Sequence, residues 1–189
     1  RTERVADSAE LATMFRALNE LPMPLIGRIN GPAYGGGVGM VSVCDVSIAV
    51  DSGVYCLTEV RLGLLPATIG PYVLRALGEQ ASRRYFVTAE RFSTTEAHRL
   101  GLVHALTTPE ALDATADEIV ATLVANGPQA VKASKRLVQD LAGQPITASL
   151  REDTARRIAD IRASDEGKEG VRSFLEKRPP GWNAGAKRE

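Results

Sequence analysis

The sequence predicts an α/β fold whose strands and helices alternate early and whose end is helical. Three observations carry this. Short apolar runs bounded by turn residues alternate with helical patterns as far as residue 108. Five glycines in nine positions, Gly31 to Gly39, join one of those strands to a helix of small residues. From Pro109 onward, amphipathic helical patterns succeed one another with no strand between them. The expected division is a core over residues 1–108 and a helical region over 109–189.

Ser8 is a candidate cap for a first helix, whose apolar positions Leu11, Ala12, Met14, Phe15 and Leu18 follow helical spacing. Pro22 and Pro24 end it, because proline lacks the N–H that a helix interior needs. Residues 25–29 read as a strand entering the glycine cluster, and 37–43 as a buried helix, small or apolar on every side. Residues 45–50 and 54–57 read as strands about the turn Asp51-Ser52-Gly53. Helical patterns cover 69–77 and 82–87, with a break near Gly78. Thr94 is a candidate cap for a helix over 96–100, closed by Gly101 before a strand over 102–105. The tail shows helices over 111–125, 129–141, 149–163 and 166–177, then a loose end over 183–189.

Composition narrows the classes of function. A chain of 189 residues with 44% hydrophobic and 24% charged side chains is long and apolar enough for one ordinary domain with a small appendage. Lys plus Arg equals Asp plus Glu at 23 each, so no net field draws the chain to nucleic acid or to an anionic membrane. No apolar run approaches the ~20 residues of a membrane span. Cys44 and Cys56 lie in apolar runs without metal-ligand spacing and read as buried free thiols of a reducing compartment. The expectation is a cytoplasmic protein that binds neither nucleic acid nor membrane. The chain opens at Arg1, almost at once in a helical pattern, and so reads as starting within a longer protein.

The glycine cluster admits two readings, a tight packing turn or a seat for negative charge built from backbone N–H groups. It fails the nucleotide patterns. A P-loop needs lysine where Gly37 stands, and the dinucleotide fingerprint finds Met40 or Ser42 at its last glycine. No Gly-x-Ser-x-Gly elbow is present, and no convincing Ser-His-Asp set appears. His98 and His104 have no companion ligands for a metal, and His98 reads as a surface residue of a charged helix. What remains is an N–H nest that could polarise a carbonyl oxygen, with a carboxylate to move the proton. Glu59 is the best candidate, lying at a strand end between Thr58 and Val60 ahead of an apolar segment. The plainer alternative is a solvated strand-end glutamate. Asp45 reads as a turn or hydrogen-bonding residue, and Arg61, Arg75, Arg83 and Arg84 as phosphate contacts or ordinary helix faces.

Several motifs in order resemble the enoyl-CoA hydratase/isomerase (crotonase) family. They are Asn30-Gly31-Pro32-Ala33-Tyr34-Gly35-Gly36-Gly37, Cys44-Asp45, the run from Thr58 to Pro66, the run from Glu96 to Val103, and Phe174-Leu175-Glu176-Lys177-Arg178. The resemblance covers the chain from about Leu25 onward. It implies a crotonase-like (ClpP-like) spiral of ββα units with a helical C-terminal trimerisation region. It also implies homotrimers or dimers of trimers, and an acyl-CoA thioester substrate that brings coenzyme A with it, with no separate cofactor and no metal. Gly36 matches the family position whose N–H forms half of the oxyanion hole, and Glu59 matches one of two catalytic glutamates. Ala33, Tyr34, Gly35, Pro66 and Ala67 are implied against the substrate, and Phe174 and Lys177 against coenzyme A.

Two departures from the family pattern matter. Gly39 stands where the best-known hydratases carry a second glutamate, and no Ala-Gly-x-Asp-like segment supplying the other oxyanion-hole N–H precedes Arg16. The run from Leu57 to Ala67 with Pro71-Tyr72-Val73 looks most like hydratases of methylglutaconyl-CoA and related branched acyl groups. Three activities stay open. They are hydration of a 2,3 double bond with Glu59 alone, isomerisation using that single carboxylate, and a non-catalytic subunit of the same fold.

Overall fold

The computed structural model describes residues 2–183. By its internal contacts the chain forms two compact units, Arg1–Glu118 and Ile119–Glu189. The first unit begins with α1 (Thr2–Asn19), which opens upstream of Ser8 and leaves that residue inside the helix rather than capping it. Of its apolar positions only Phe15 is buried, with Leu18 packed alongside, while Leu11 and Met14 face outward.

Strand–strand–helix units follow. β1 (Ile26–Ile29), β2 (Ala33–Tyr34) and α2 (Gly36–Ser42) form the first. β3 (Val46–Val50), β4 (Val54–Cys56), a 3-10 turn over Glu59–Leu62 and α3 (Gly70–Thr88) form the second. β5 (Phe92–Ser93), α4 (Thr94–Arg99) and β6 (Ala105–Thr107) close the series. Each unit contributes one strand to each of two sheets. β1-β3-β6 is wholly parallel, starting at Ile26 opposite Val46, and β2-β4-β5 pairs β2 with β4 in parallel and β4 with β5 antiparallel.

The buried side chains of Val38 and Val41 from α2, Leu57 after β4, and Val73, Leu77 and Tyr85 from α3 fill one core with Phe15 and Ile69. An aromatic row runs through it, Tyr55 to Phe92 at 5.6 Å and Phe92 to Tyr85 at 4.3 Å between ring centroids. The break expected near Gly78 is present inside α3, where that glycine adopts φ 76 and ψ 168. The cap of α4 is Ser93, one residue before the expected Thr94. Ser93 Oγ accepts from Glu96 N at 3.2 Å, and Thr94 is buried and donates its hydroxyl to Val50 O at 2.8 Å. The last strand lies at Ala105–Thr107, beyond the expected 102–105, because Leu102 and Val103 are drawn into the core by turn hydrogen bonds to Ala97 O.

A second 3-10 turn over Pro109–Ala111 leads into α5 (Leu112–Val124). The first turns of α5 belong to the first unit. Leu112 and Ala116 are buried, and Asp113 meets Arg28 at 2.6 Å. Contacts therefore divide the chain inside α5, whereas the change from alternating elements to helices alone falls before it. The second unit carries α6 (Pro128–Leu141), α7 (Ala148–Ala163) and α8 (Asp165–Leu175). Arg157 bridges α6 and α7 through Asp140 and Asp153, both at 2.7 Å. Asn183 donates to Ala125 O at 3.0 Å, and the rest of the expected loose end, 184–189, lies outside the described residues.

Candidate active site

The site is built where β2 turns into α2. Gly35 adopts φ 50 and ψ −117, a conformation a side chain would strain. Its N–H donates to Cys56 O at 2.9 Å, and its carbonyl accepts from Val38 N at 2.9 Å and Gly39 N at 3.4 Å. Those bonds satisfy Val38 and Gly39. The N–H groups of Gly36 and Gly37 lie in the first turn of α2, where no helical carbonyl stands behind them. Gly36 is exposed.

Glu59 is brought to this turn by β4. Cys56 pairs with Tyr34 across the β2–β4 ladder, and three residues on, the 3-10 turn Glu59–Leu62 begins. A Cβ placed on Gly35 would lie 3.2 Å from Glu59 Oε1, so the carboxylate rests against the bare backbone of the glycine loop. Glu59 Oε2 is buried with no hydrogen-bond partner among the described residues. A buried carboxylate oxygen left unpaired beside the glycine loop is not the ordinary solvated strand-end glutamate.

The second carboxylate position is closed. Gly39 is buried, and a Cβ there would collide with the Ile69 side chain and sit 2.8 Å from Ile69 Cβ and 3.1 Å from Phe15 Cε1. Nothing local in the sequence announces this plug, because Ile69 and Phe15 come from 30 residues downstream and 24 upstream of Gly39 (69 − 39, 39 − 15).

Of the other expected site residues, Ala33 is buried beside the loop and Tyr34 is exposed, with the Arg91 guanidinium 6.0 Å from its ring centroid. Pro66 and Ala67 line an apolar groove of about 510 Å³ together with Val60, Leu65, Leu74 and Phe86. Phe174 and Lys177 are exposed in the second unit, Phe174 at 81%. Asp45 is a structural residue whose Oδ2 accepts from Leu25 N at 2.7 Å, tying the start of β1 to β3. Arg84 pairs with Glu90 at 2.8 Å, and Arg61 donates to Ala89 O at 2.6 Å, so both are engaged within the protein. Cys44 is half-buried, its Sγ donating to Met40 O at 3.2 Å, and Cys56 is buried. His98 is exposed and donates from Nδ1 to Val103 O at 2.9 Å.

Ser47 and His104 come within 3.0 Å, yet they do not make a nucleophile. Ser47 is fully buried, its hydroxyl donates to Leu102 O at 2.8 Å, and His104 Nδ1 accepts the Ser47 backbone N–H at 2.9 Å. No His/Cys/Asp/Glu cluster suited to a metal occurs among the described residues. No described helix is long and apolar enough to cross a membrane.

A family model described as enoyl-CoA hydratase/isomerase matches residues 4–185. The chain belongs to the enoyl-CoA hydratase/isomerase family. Relatives within it include an enoyl-CoA hydratase of Alternaria alternata, 35% identical over 167 residues, and a short-chain-enoyl-CoA hydratase of Clostridium acetobutylicum, 32% identical over 166. These alignments take in 87% of this chain in both cases but only 55% and 63% of the relatives, so the chain spans roughly half to two-thirds of their length. Among solved structures, an enoyl-CoA hydratase of Shewanella pealeana is 40% identical with a TM-score of 0.90, covering 96% of this chain and 68% of that one. A Legionella pneumophila protein described as an enoyl-CoA hydratase/isomerase (crotonase) reaches a TM-score of 0.91 at 40% identity, covering 97% and 71%. The fold is the crotonase fold.

Proposed function

We propose that the protein carrying this chain is an enoyl-CoA hydratase, a hydro-lyase adding water across the 2,3 double bond of an acyl-CoA thioester. The observation that carries this reading is the Glu59 carboxylate, lying against Gly35 in the glycine loop with one buried oxygen that has no hydrogen-bond partner among the described residues. Hydratase names among the relatives support it. In this reading the Gly36 N–H donates to the thioester oxygen and stabilises the negative charge that develops there. That polarisation makes C3 electrophilic. Glu59 takes a proton from water as its oxygen bonds to C3, then delivers that proton to C2, so the carboxylate ends as it began. Ala33, Tyr34, Pro66 and Ala67 would hold the acyl end, and Phe174 and Lys177 the coenzyme A. The branched acyl groups suggested by the run from Leu57 to Ala67 are the proposed substrates.

The packed state of Gly39 favours one second reading, an isomerase. With Ile69 filling that position, a single carboxylate taking a proton from C2 of a 3-enoyl-CoA and returning it to C4 needs no second group. The proposed assembly is a homotrimer or a dimer of trimers in the cytoplasm, supported by apolar side chains left at the surface, Leu62, Leu65 and Val87 above 70% exposed. Assay of the full-length protein with crotonyl-CoA and a 3-enoyl-CoA, beside Glu59→Gln, decides among the readings. Hydration lost in Glu59→Gln supports the first, loss of isomerisation alone the second. Activity retained on both sinks the role of Glu59, and CoA binding without turnover by the unaltered protein indicates a non-catalytic subunit.

A further inference from the structure

Ala89 closes α3 in the left-handed conformation, φ 50 and ψ 31, and is fully buried. A residue with a Cβ adopts that conformation uncommonly, and here it turns one carbonyl back toward the segment that holds Glu59. Two donors converge on that single oxygen. Cys56 Sγ donates at 3.2 Å, and the Arg61 Nη2 donates at 2.6 Å, a short charge-assisted bond. Cys56 stands three residues before Glu59 and Arg61 two residues after it, so both ends of the segment hang on one acceptor. Cys56 also accepts the Gly35 N–H through its own carbonyl at 2.9 Å. The glycine loop and the near end of the Glu59 segment are therefore referenced to the same residue. Besides the Arg61 side chain, the hydrogen bonds of the far end among the described residues are those of its own turn, Arg61 N to Thr58 O at 3.1 Å, Gly63 N to Val60 O at 3.2 Å and Leu64 N to Glu59 O at 3.0 Å.

We infer that Arg61 is a positioning residue, its guanidinium pinning the 3-10 turn to the Ala89 carbonyl so that the Glu59 carboxylate stays against Gly35. This rests on the reading of Glu59 as the acid/base group. The hydrogen bond of the Arg61 side chain goes to Ala89 O, so its effect passes through the backbone that it fixes. A group that moves protons tolerates little displacement, since a misplacement of about 1 Å can cost roughly a hundredfold in rate.

The test compares Arg61→Met, Arg61→Lys and Arg84→Met in the full-length protein with crotonyl-CoA and a 3-enoyl-CoA. Arg84→Met removes an exposed ion pair at the same end of α3 and serves as the control. Arg61→Met is expected to lower kcat about tenfold to a hundredfold with KM changed by less than about threefold, and Arg61→Lys to recover much of the loss. Arg84→Met leaves kcat unchanged. Amide hydrogen exchange at Gly63 and Leu64 is expected to speed up about tenfold in Arg61→Met while α3 amides keep their protection. Unchanged exchange overturns the anchor. Faster exchange with wild-type kcat overturns its bearing on the reaction, as does a loss of activity matched by Arg84→Met or tracking a general loss of protection. If Glu59→Gln keeps full turnover, or the unaltered protein turns over neither substrate, the reading of Glu59 falls first, and exchange alone then decides whether Arg61 holds the turn.

Discussion

Gly39 shows how a single position closes off one chemistry. A glutamate there could not simply be restored, since Ile69 Cβ and Phe15 Cε1 already stand within contact of the missing Cβ. Gly39→Glu is expected to lower stability by at least about 1–3 kcal/mol from overpacking alone, before the cost of burying a carboxyl, and to leave hydration unimproved. Thermal unfolding and a crotonyl-CoA assay check both halves, and a rise in hydration would show that the plug yields. Gly35 is sensitive for a different reason. Gly35→Ala would force a side chain to φ 50, at a cost of about 1–2 kcal/mol, and set a methyl group 3.2 Å from Glu59 Oε1. Turnover is expected to fall at least about tenfold, while the melting temperature drops only about 2–6 °C. Glu59 and the glycine loop could be singled out in the sequence because residue type and local order are enough to nominate them. Ile69, Phe15 and the Arg61–Ala89 bond could not, because they act across the fold and carry no local pattern.

The elements themselves are largely legible, and each miss has a specific cause. Apolar periodicity locates β1, β3, β4 and the tail helices. The sequence pattern puts the start of the first helix late because Ser8, a good capping residue, lies within it, and a polar residue on an exposed turn reads the same in either role. Ser93 and Thr94 compete as caps, and only the acceptor Val50 O, held on a neighbouring strand, draws Thr94 inward. In the second unit one helix caps another. Glu166, near the start of α8, accepts from Gln129 N at 2.9 Å and Ala130 N at 2.8 Å, taking two orphan donors at the start of α6. Gly127 is kept small by this contact, because a Cβ there would stand 2.6 Å from Glu166 Oε1. Glu166→Ala is expected to destabilise the protein by about 1–2 kcal/mol, read as a lower midpoint in urea unfolding followed by helical circular dichroism. An unchanged midpoint would mean that water replaces the cap at no cost.

At the scale of the whole molecule, the last described segment carries a carboxylate on which acid is expected to act, Glu169. Arg178 forms a two-armed ion pair with Glu169 at 2.6 and 3.0 Å, and Gly181 N adds a third bond at 2.9 Å. The Arg178 guanidinium, foremost, holds the Glu169 carboxyl well below its ordinary 4.5, at about 2. A carboxyl lowered on folding contributes stability above its unfolded value, and that contribution is lost as pH falls from about 4.5 toward 2. Trp182 is the one tryptophan in the chain and donates to Ala125 O at 3.2 Å beside this pair. Its fluorescence is expected to change over that window in the wild type, whereas Glu169→Gln, with no carboxyl there to titrate, already shows the acid-form signal at neutral pH and stays flat over the window. A wild-type signal flat down to pH 2 would sink the link between Glu169 and the tail.

The sequence by itself determined the family, the alternation of strands and helices and the helical close, and it nominated Gly36 and Glu59 as candidate site residues. Each of these is written in near neighbours, through side-chain period, turn residues and motif order. Only the tertiary structure decided that the Glu59 carboxylate lies on Gly35 with an unpaired oxygen, that Ile69 fills the place of a second acid, and that Ala89 gathers Cys56 and Arg61 on either side of Glu59. Those are contacts between segments far apart in the chain, and their geometry follows from how whole elements pack, which no local run of residues encodes.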